Sequence, residues 1–117
     1  VLQWARQQET LRLVADQVSN PTWSRALAEV SAQVLARALT EVTGWVQERR
    51  GLYHLAGAGY ASRLAWGEAI LPARTTDFPT PAQRPLFSAL DCDLFTRTFD
   101  LQLPGWQAAL RLAMQTE

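Results

Sequence analysis

Residues 43–60 read TGWVQERRGLYHLAGAGY, and the rest of the chain is arranged around what this stretch does. Two short runs with β-favouring residues, Trp45-Val46 and Leu52-Tyr53-His54-Leu55, flank a polar tip, Glu48-Arg49-Arg50-Gly51. Glycine at the tip tolerates the positive φ of a tight turn, so the pattern predicts a β-hairpin. Trp45 shares a face with Gln47 and Val46 shares the other with Glu48, so both faces are partly apolar near the strand roots. A hairpin alone is marginal in water and has to be covered. Amphipathic patterns on either side supply the cover, and the order becomes helix, hairpin, irregular middle, helix.

Upstream, Asn20-Pro21 is a helix start, because Asn can cap orphan N–H groups and Pro suits the first helical position. Trp23, Leu27, Val30, Val34 and Ala38 recur at spacings of three and four, which predicts a helix to about Leu39 with one apolar stripe. Before it, Trp4, Leu11 and Val18 fall seven apart with Val14 between them, so residues 1–19 read as a narrow-seamed helix that needs a partner. The domain organisation that follows is a connecting or dimerisation helix over 1–19 and a folded domain over 20–117.

Downstream, Gly57 and Gly59 stand among Ala56 and Ala58, a run of small residues that permits close backbone approach. Residues 61–84 are irregular and hold Pro72, Pro79 and Pro81; Ala61–Trp66 has room for one helical turn and Glu68–Leu71 for a short strand. Pro85–Leu90 and Leu94–Phe99 read as two further strands. Pro104 opens a last helix in which Trp106, Ala109, Leu110, Ala113 and Met114 form another apolar stripe.

Composition narrows the function classes. With 117 residues, 48% hydrophobic and 19% charged, the chain suits one folded core and lies well outside the disordered regime. Its 11 basic residues, all arginine, balance 11 acidic ones, so no excess charge draws it to nucleic acid or to an anionic membrane. Cys92 is the single cysteine, which excludes an intrachain disulfide and points to the cytoplasm. No apolar run approaches the length of a membrane span. The chain opens on Val1 rather than Met, which reads as a piece of something longer.

Candidate chemistry is sparse. His54, the only histidine, has no ligand spacing around it, so no metal site is expected. Asp91 and Asp93 disfavour a Cys92 thiolate by like charge, which argues against a catalytic thiol. The Gly57 and Gly59 pair lacks the third glycine and the lysine of a phosphate loop. Arg49-Arg50 reads as a solvated turn. Trp23 and Trp106 lie on helix stripes and belong to the core, whereas Trp66 and Phe78 stand in the irregular middle and suit a pocket.

The order resembles a GAF domain, a small-molecule sensor module of bacterial signalling proteins. ALAEVSAQVLARALTEVTG running into WVQERRGLYHLAGAGY is similar to that family's first core helix, hairpin and Gly-Tyr pair at Gly59-Tyr60, and RTFDLQLPGWQAALRLAMQ resembles its closing helix. The resemblance implies an α+β fold, a GAF-like antiparallel sheet flanked by N- and C-terminal helices. It implies a non-catalytic, cytoplasmic regulatory domain that binds an unknown small molecule through Tyr60, Trp66, Phe78 and Cys92, with no cofactor. Its partners would be a second copy and the other domains of a signalling or transcription-regulatory protein, with no direct nucleic-acid or membrane contact. A roadblock-like dimerisation module without ligand is the alternative, and a GAF-like sulfoxide-reducing enzyme would need more cysteines.

Overall fold

In the computed structural model the described residues are 12–41, 43–66 and 71–115. The chain divides into two compact units, Val1–Ser19 with Tyr60–Ala89 and Asn20–Gly59 with Leu90–Glu117. Each is assembled from two separate stretches of sequence.

The first unit carries the strands. β1 (Arg12–Val14) pairs in parallel with β4 (Leu71–Ala73), Arg12 opposite Leu71 and Val14 opposite Ala73. β2 (Val18–Ser19) pairs antiparallel with β3 (Ala61–Ser62). Among the described residues, Leu13, Ala61 and Ala73 are its buried apolar side chains. Val18 makes a further parallel bridge to Phe87, its N–H donating to the Leu86 carbonyl at 2.7 Å. One helical turn follows β3 at Arg63–Trp66, and a 3-10 turn follows β4 at Thr75–Asp77.

The second unit is helical. α1 (Ser24–Thr40) buries Ala26 and Val30, with Trp23, Leu27 and Val34 packed partly against the same cluster, as the stripe requires. Its exposed side carries an Arg25–Glu29 pair four residues apart at 2.9 Å. A short helix, α2 (Trp45–Glu48), follows Gly44, whose φ of 112° suits glycine. The Arg63–Trp66 turn of the first unit is α3. α4 (Asp93–Phe99) begins where the Asp93 N–H donates to the Asp91 carboxylate at 2.8 Å and ends at Asp100, whose φ is 52°. α5 (Trp106–Gln115) buries Ala109. Phe95, Phe99 and Leu103 complete the core with Ala26 and Val30. Arg37 donates to the Phe99 carbonyl at 2.7 Å, filling an acceptor that the end of α4 leaves open.

Several expectations are corrected. The hairpin is absent: Trp45–Glu48 is helical, and residues 52–57 form no ladder. Alternation survives there, with Tyr53, Leu55 and Ala56 turned inward while Leu52 and His54 are exposed. What the stretch lacks is a partner strand, because Tyr53 and Leu55 pack on the helical core instead. Arg49 is no solvated tip; it is half-buried, with its guanidinium 4.8 Å from the Trp45 ring centre and the Tyr53 hydroxyl donating to its carbonyl at 2.8 Å. Leu94–Phe99 is helix rather than strand, and Pro85–Leu90 contributes only the Phe87 bridge. Of the helix expected over 1–19, residues 12–14 and 18–19 are strands and residues 1–11 lie outside the described residues. Of the strand expected over Glu68–Leu71, residues 68–70 lie outside them as well. The GAF-like antiparallel sheet between terminal helices is therefore not the fold; among the described residues two short strand pairs, one of them parallel, stand in its place. The helices over 24–40 and 106–115 follow the apolar spacing from which they were expected, and of the turn allowed over Ala61–Trp66 residues 63–66 are helical.

Candidate functional site

Within the first unit, three arginines distant in sequence line one open cavity of about 260 Å³: Arg12, Arg63 and Arg84. Local structure explains each position. Arg12 projects from β1 beside the buried Leu13, Arg63 begins the turn after β3, and Arg84 lies in the loop preceding Pro85. Thr75, Phe78 and Thr80, carried past β4 by the 3-10 turn, also line the wall.

Charge is unevenly compensated. Arg12 donates to Asp77 at 2.8 Å, an exposed pair that orients the guanidinium more than it stabilises the fold. Arg63 and Arg84 have no ion-pair partner among the described residues. The cavity thus offers two guanidiniums without an ion-pair partner among the described residues, forked donors suited to phosphate oxygens, beside Phe78, which is 44% exposed.

Behind this wall Asp16 fastens the end of β1 to the 3-10 turn. Its carboxylate accepts the Thr75 hydroxyl at 2.7 Å and the Thr75 N–H at 2.9 and 3.1 Å. The Thr75 hydroxyl first, then the Thr75 N–H, holds the Asp16 carboxyl below its ordinary value of 3.8. A depressed folded-state value contributes stability that is fully present above the unfolded pKa and is lost as pH falls through the folded one. Carboxyl chemical shifts are expected to place the Asp16 midpoint below 3.8. Asp16→Asn should flatten the acid limb of stability against pH, and an unchanged limb would show that the bonds contribute nothing.

The residues expected from the sequence to bind ligand are dispersed. Phe78 lines the arginine cavity. Tyr60, 64% exposed, meets Phe87 edge to face at 5.5 Å and does not line the arginine cavity. Trp66 ends a helical turn, and its side chain lies outside the described residues. Cys92 lies in the second unit, half-buried between Asp91 and Asp93 on a different cavity of about 230 Å³. Asn20, on that same wall, is already engaged, donating to the Gly59 carbonyl at 2.8 Å and accepting the Leu90 N–H at 2.6 Å. Sequence reading missed all three arginines of the first cavity, because strand pairing and not spacing brings them together.

The model of the RmlD substrate binding domain family matches residues 1–117. The chain belongs to this family. Curated relatives of this RmlD-family chain include dTDP-4-dehydrorhamnose reductase from Burkholderia thailandensis, 30% identical over 98% of the chain and 44% of the relative. The Salmonella typhimurium reductase is 33% identical over 95% of the chain and 41% of the relative. Among solved structures, dTDP-4-dehydrorhamnose reductase from Bacillus anthracis, in complex with NADP, superposes with a TM-score of 0.78 at 21% identity over 99% of the chain and 41% of that protein. The Clostridium acetobutylicum reductase gives 0.73 at 25% identity over 98% of the chain and 41% of that protein. The RmlD-family chain thus spans under half the length of the curated relatives it matches.

Membership in the RmlD family overturns the GAF resemblance and the sensory function drawn from it. It also overturns the non-enzymatic reading, since the named relatives are reductases. The signalling partners expected from that resemblance fall with it, since the relatives are named as dTDP-4-dehydrorhamnose reductases. Among the described residues, no helix is long and apolar enough to cross a membrane.

Proposed function

We propose that this chain is the substrate-holding part of a dTDP-4-dehydrorhamnose reductase and that its arginine cavity takes the nucleoside diphosphate of the sugar nucleotide. The observation that carries the reading is the pair of guanidiniums, Arg63 and Arg84, that have no ion-pair partner among the described residues and share a cavity wall with the partly exposed Phe78. A diphosphate matches the forked donors and a pyrimidine base matches an aromatic face. At about 260 Å³ the cavity falls below the usual range for a whole ligand, so it holds only part of one.

Reducing a sugar ketone requires a hydride and a proton, and the Bacillus anthracis reductase is described with NADP. The glycine run at 56–59 does not fit the phosphates of a dinucleotide. The small-residue run at Ala56–Gly59 is committed to packing: a Cβ on Gly57 would meet the Pro21 carbonyl oxygen, and one on Gly59 would come 3.3 Å from the Trp106 ring. The role of this chain is to bind and orient the sugar nucleotide. Cys92, a free thiol, suits the reducing cytoplasm as the setting.

Titration calorimetry of the full chain with dTDP tests the reading. Saturable binding that weakens with rising ionic strength is expected. Arg63→Gln and Arg84→Gln should each weaken it by roughly tenfold, since a charge-assisted hydrogen bond contributes about 1.5–3 kcal/mol. Absence of binding at millimolar dTDP would sink the assignment.

A further inference from the structure

Phe78 follows a turn that is tied down twice. The Thr75 hydroxyl and N–H both donate to Asp16, at 2.7 to 3.1 Å. Asp77 accepts the Arg74 N–H at 3.1 Å and pairs with Arg12 at 2.8 Å. The Phe78 N–H closes the turn onto the Thr75 carbonyl at 3.1 Å. Asp16 and Thr75 lie just past the ends of the parallel strands β1 and β4, whose pairing is extended by the Ala15 N–H bonding the Ala73 carbonyl at 2.9 Å.

This is more restraint than a surface turn of three residues needs, and its output is the placement of one ring. Phe78 makes no ring contact with another aromatic side chain among the described residues. An aromatic ring fixed beside a cavity yet left open is preorganised for stacking, because its ordering cost is met before a ligand arrives. The arginines reach the same cavity from β1, from the turn after β3 and from the loop at residue 84, and neither Arg63 nor Arg84 bonds to Asp16 or Thr75. The Phe78 ring and the Arg63 and Arg84 guanidiniums therefore rest on separate supports, and Arg12 alone is shared, through its pair with Asp77.

We propose that Asp16 and Thr75 are positioning residues that present the Phe78 ring to the base of the bound nucleotide and so contribute to selection of an aromatic base, leaving phosphate binding to Arg63 and Arg84. The inference rests on assigning the cavity to a nucleoside diphosphate. Two probes, dTDP and inorganic pyrophosphate, are titrated into the full chain and into Thr75→Val, Thr75→Ser, Asp16→Asn and Phe78→Leu variants, each first checked for cooperative melting. Base stacking is strong enough that Thr75→Val, Asp16→Asn and Phe78→Leu are each expected to weaken dTDP by roughly tenfold. Pyrophosphate should stay within about twofold of wild type in all of them, because the charge-assisted bonds of Arg63 and Arg84 are untouched. Thr75→Ser, which keeps the hydroxyl, should restore dTDP affinity.

If Phe78→Leu weakens dTDP but the Asp16 and Thr75 variants do not, the positioning role is refuted while the cavity assignment stands. If dTDP and pyrophosphate weaken together, the clamp is structural only and the proposal falls. Failure of the wild-type chain to bind either probe removes the cavity assignment itself and the positioning role with it. Should Asp16→Asn not fold, the Thr75 pair decides alone.

Discussion

Replacing Phe99 by alanine is expected to lower the unfolding free energy by about 3–5 kcal/mol, the range for removing a buried phenyl group. Phe99 is the hub of the helical unit. Its ring lies 4.9 Å from Phe95, 5.0 Å from Tyr53 and 5.9 Å from Trp45, and its exposure is 7%. Edge-to-face and tilted contacts of this kind add about 0.5–1.5 kcal/mol each beyond area burial. The rings come from α2, the extended segment after it and α4, so a void at this position loosens three elements together. Arg37 also bonds the Phe99 carbonyl, so movement of the backbone at this point would free a cation at the end of α1. Thermal denaturation should show a midpoint lower by on the order of 10–20 °C. A drop of only a degree or two would mean that these rings are not packed as described.

Gly57→Ala is expected to destabilise by about 2–4 kcal/mol, the sum of overpacking and weakened hydrogen bonds. Gly57 is buried, and its added Cβ would run into the backbone oxygen of Pro21, which cannot swing aside as a flexible side chain could. Relief requires the segment to retreat, which strains the bond from the Gly57 N–H to the Thr22 hydroxyl at 3.0 Å and the Asn20 bond to the Gly57 carbonyl at 3.4 Å. The neighbouring Ala58 would be pulled from its bridge to Gly105. Gly105→Ala is the internal control, since its Cβ would meet nothing closer than 3.9 Å. Denaturant titrations should separate the two variants clearly; equal midpoints would refute the collision.

Apolar spacing located the long helix and the last one because each carries a stripe at helical spacing, the first packing with Phe95 and Phe99 and the last burying Ala109. The same logic failed at Leu94–Phe99. A six-residue run rich in Phe, Leu and Thr satisfies strand propensity and helix periodicity alike, and the tie is broken by flanking chemistry, the Asp91 side chain at one end and Asp100 in a left-handed conformation at the other. It failed again at Trp45-Val46, where stacking of Arg49 on Trp45 and the tie from Tyr53 to Arg49 close a helical turn. The family resemblance inherited that mistake, since it leaned on a hairpin that does not form. Phe78 was legible as a pocket residue because an aromatic side chain among prolines has no helix stripe to join. The arginines beside it were not, because positions 12, 63 and 84 are far apart in the sequence and share no spacing pattern.

The interleaving of the two units has a consequence for how the chain folds as it is made. The polypeptide crosses from one unit to the other at Ser19–Asn20, at Gly59–Tyr60 and at Ala89–Leu90. A nascent chain leaving the ribosome therefore presents Asn20–Gly59 long before its complement, Leu90–Glu117, has been synthesised. During that interval the apolar stripe of α1 has no Phe95 or Phe99 to cover it and is open to chaperones and to aggregation. The strand-bearing unit can close as soon as Ala89 emerges. Order of synthesis thus favours assembly of the arginine cavity ahead of the helical core.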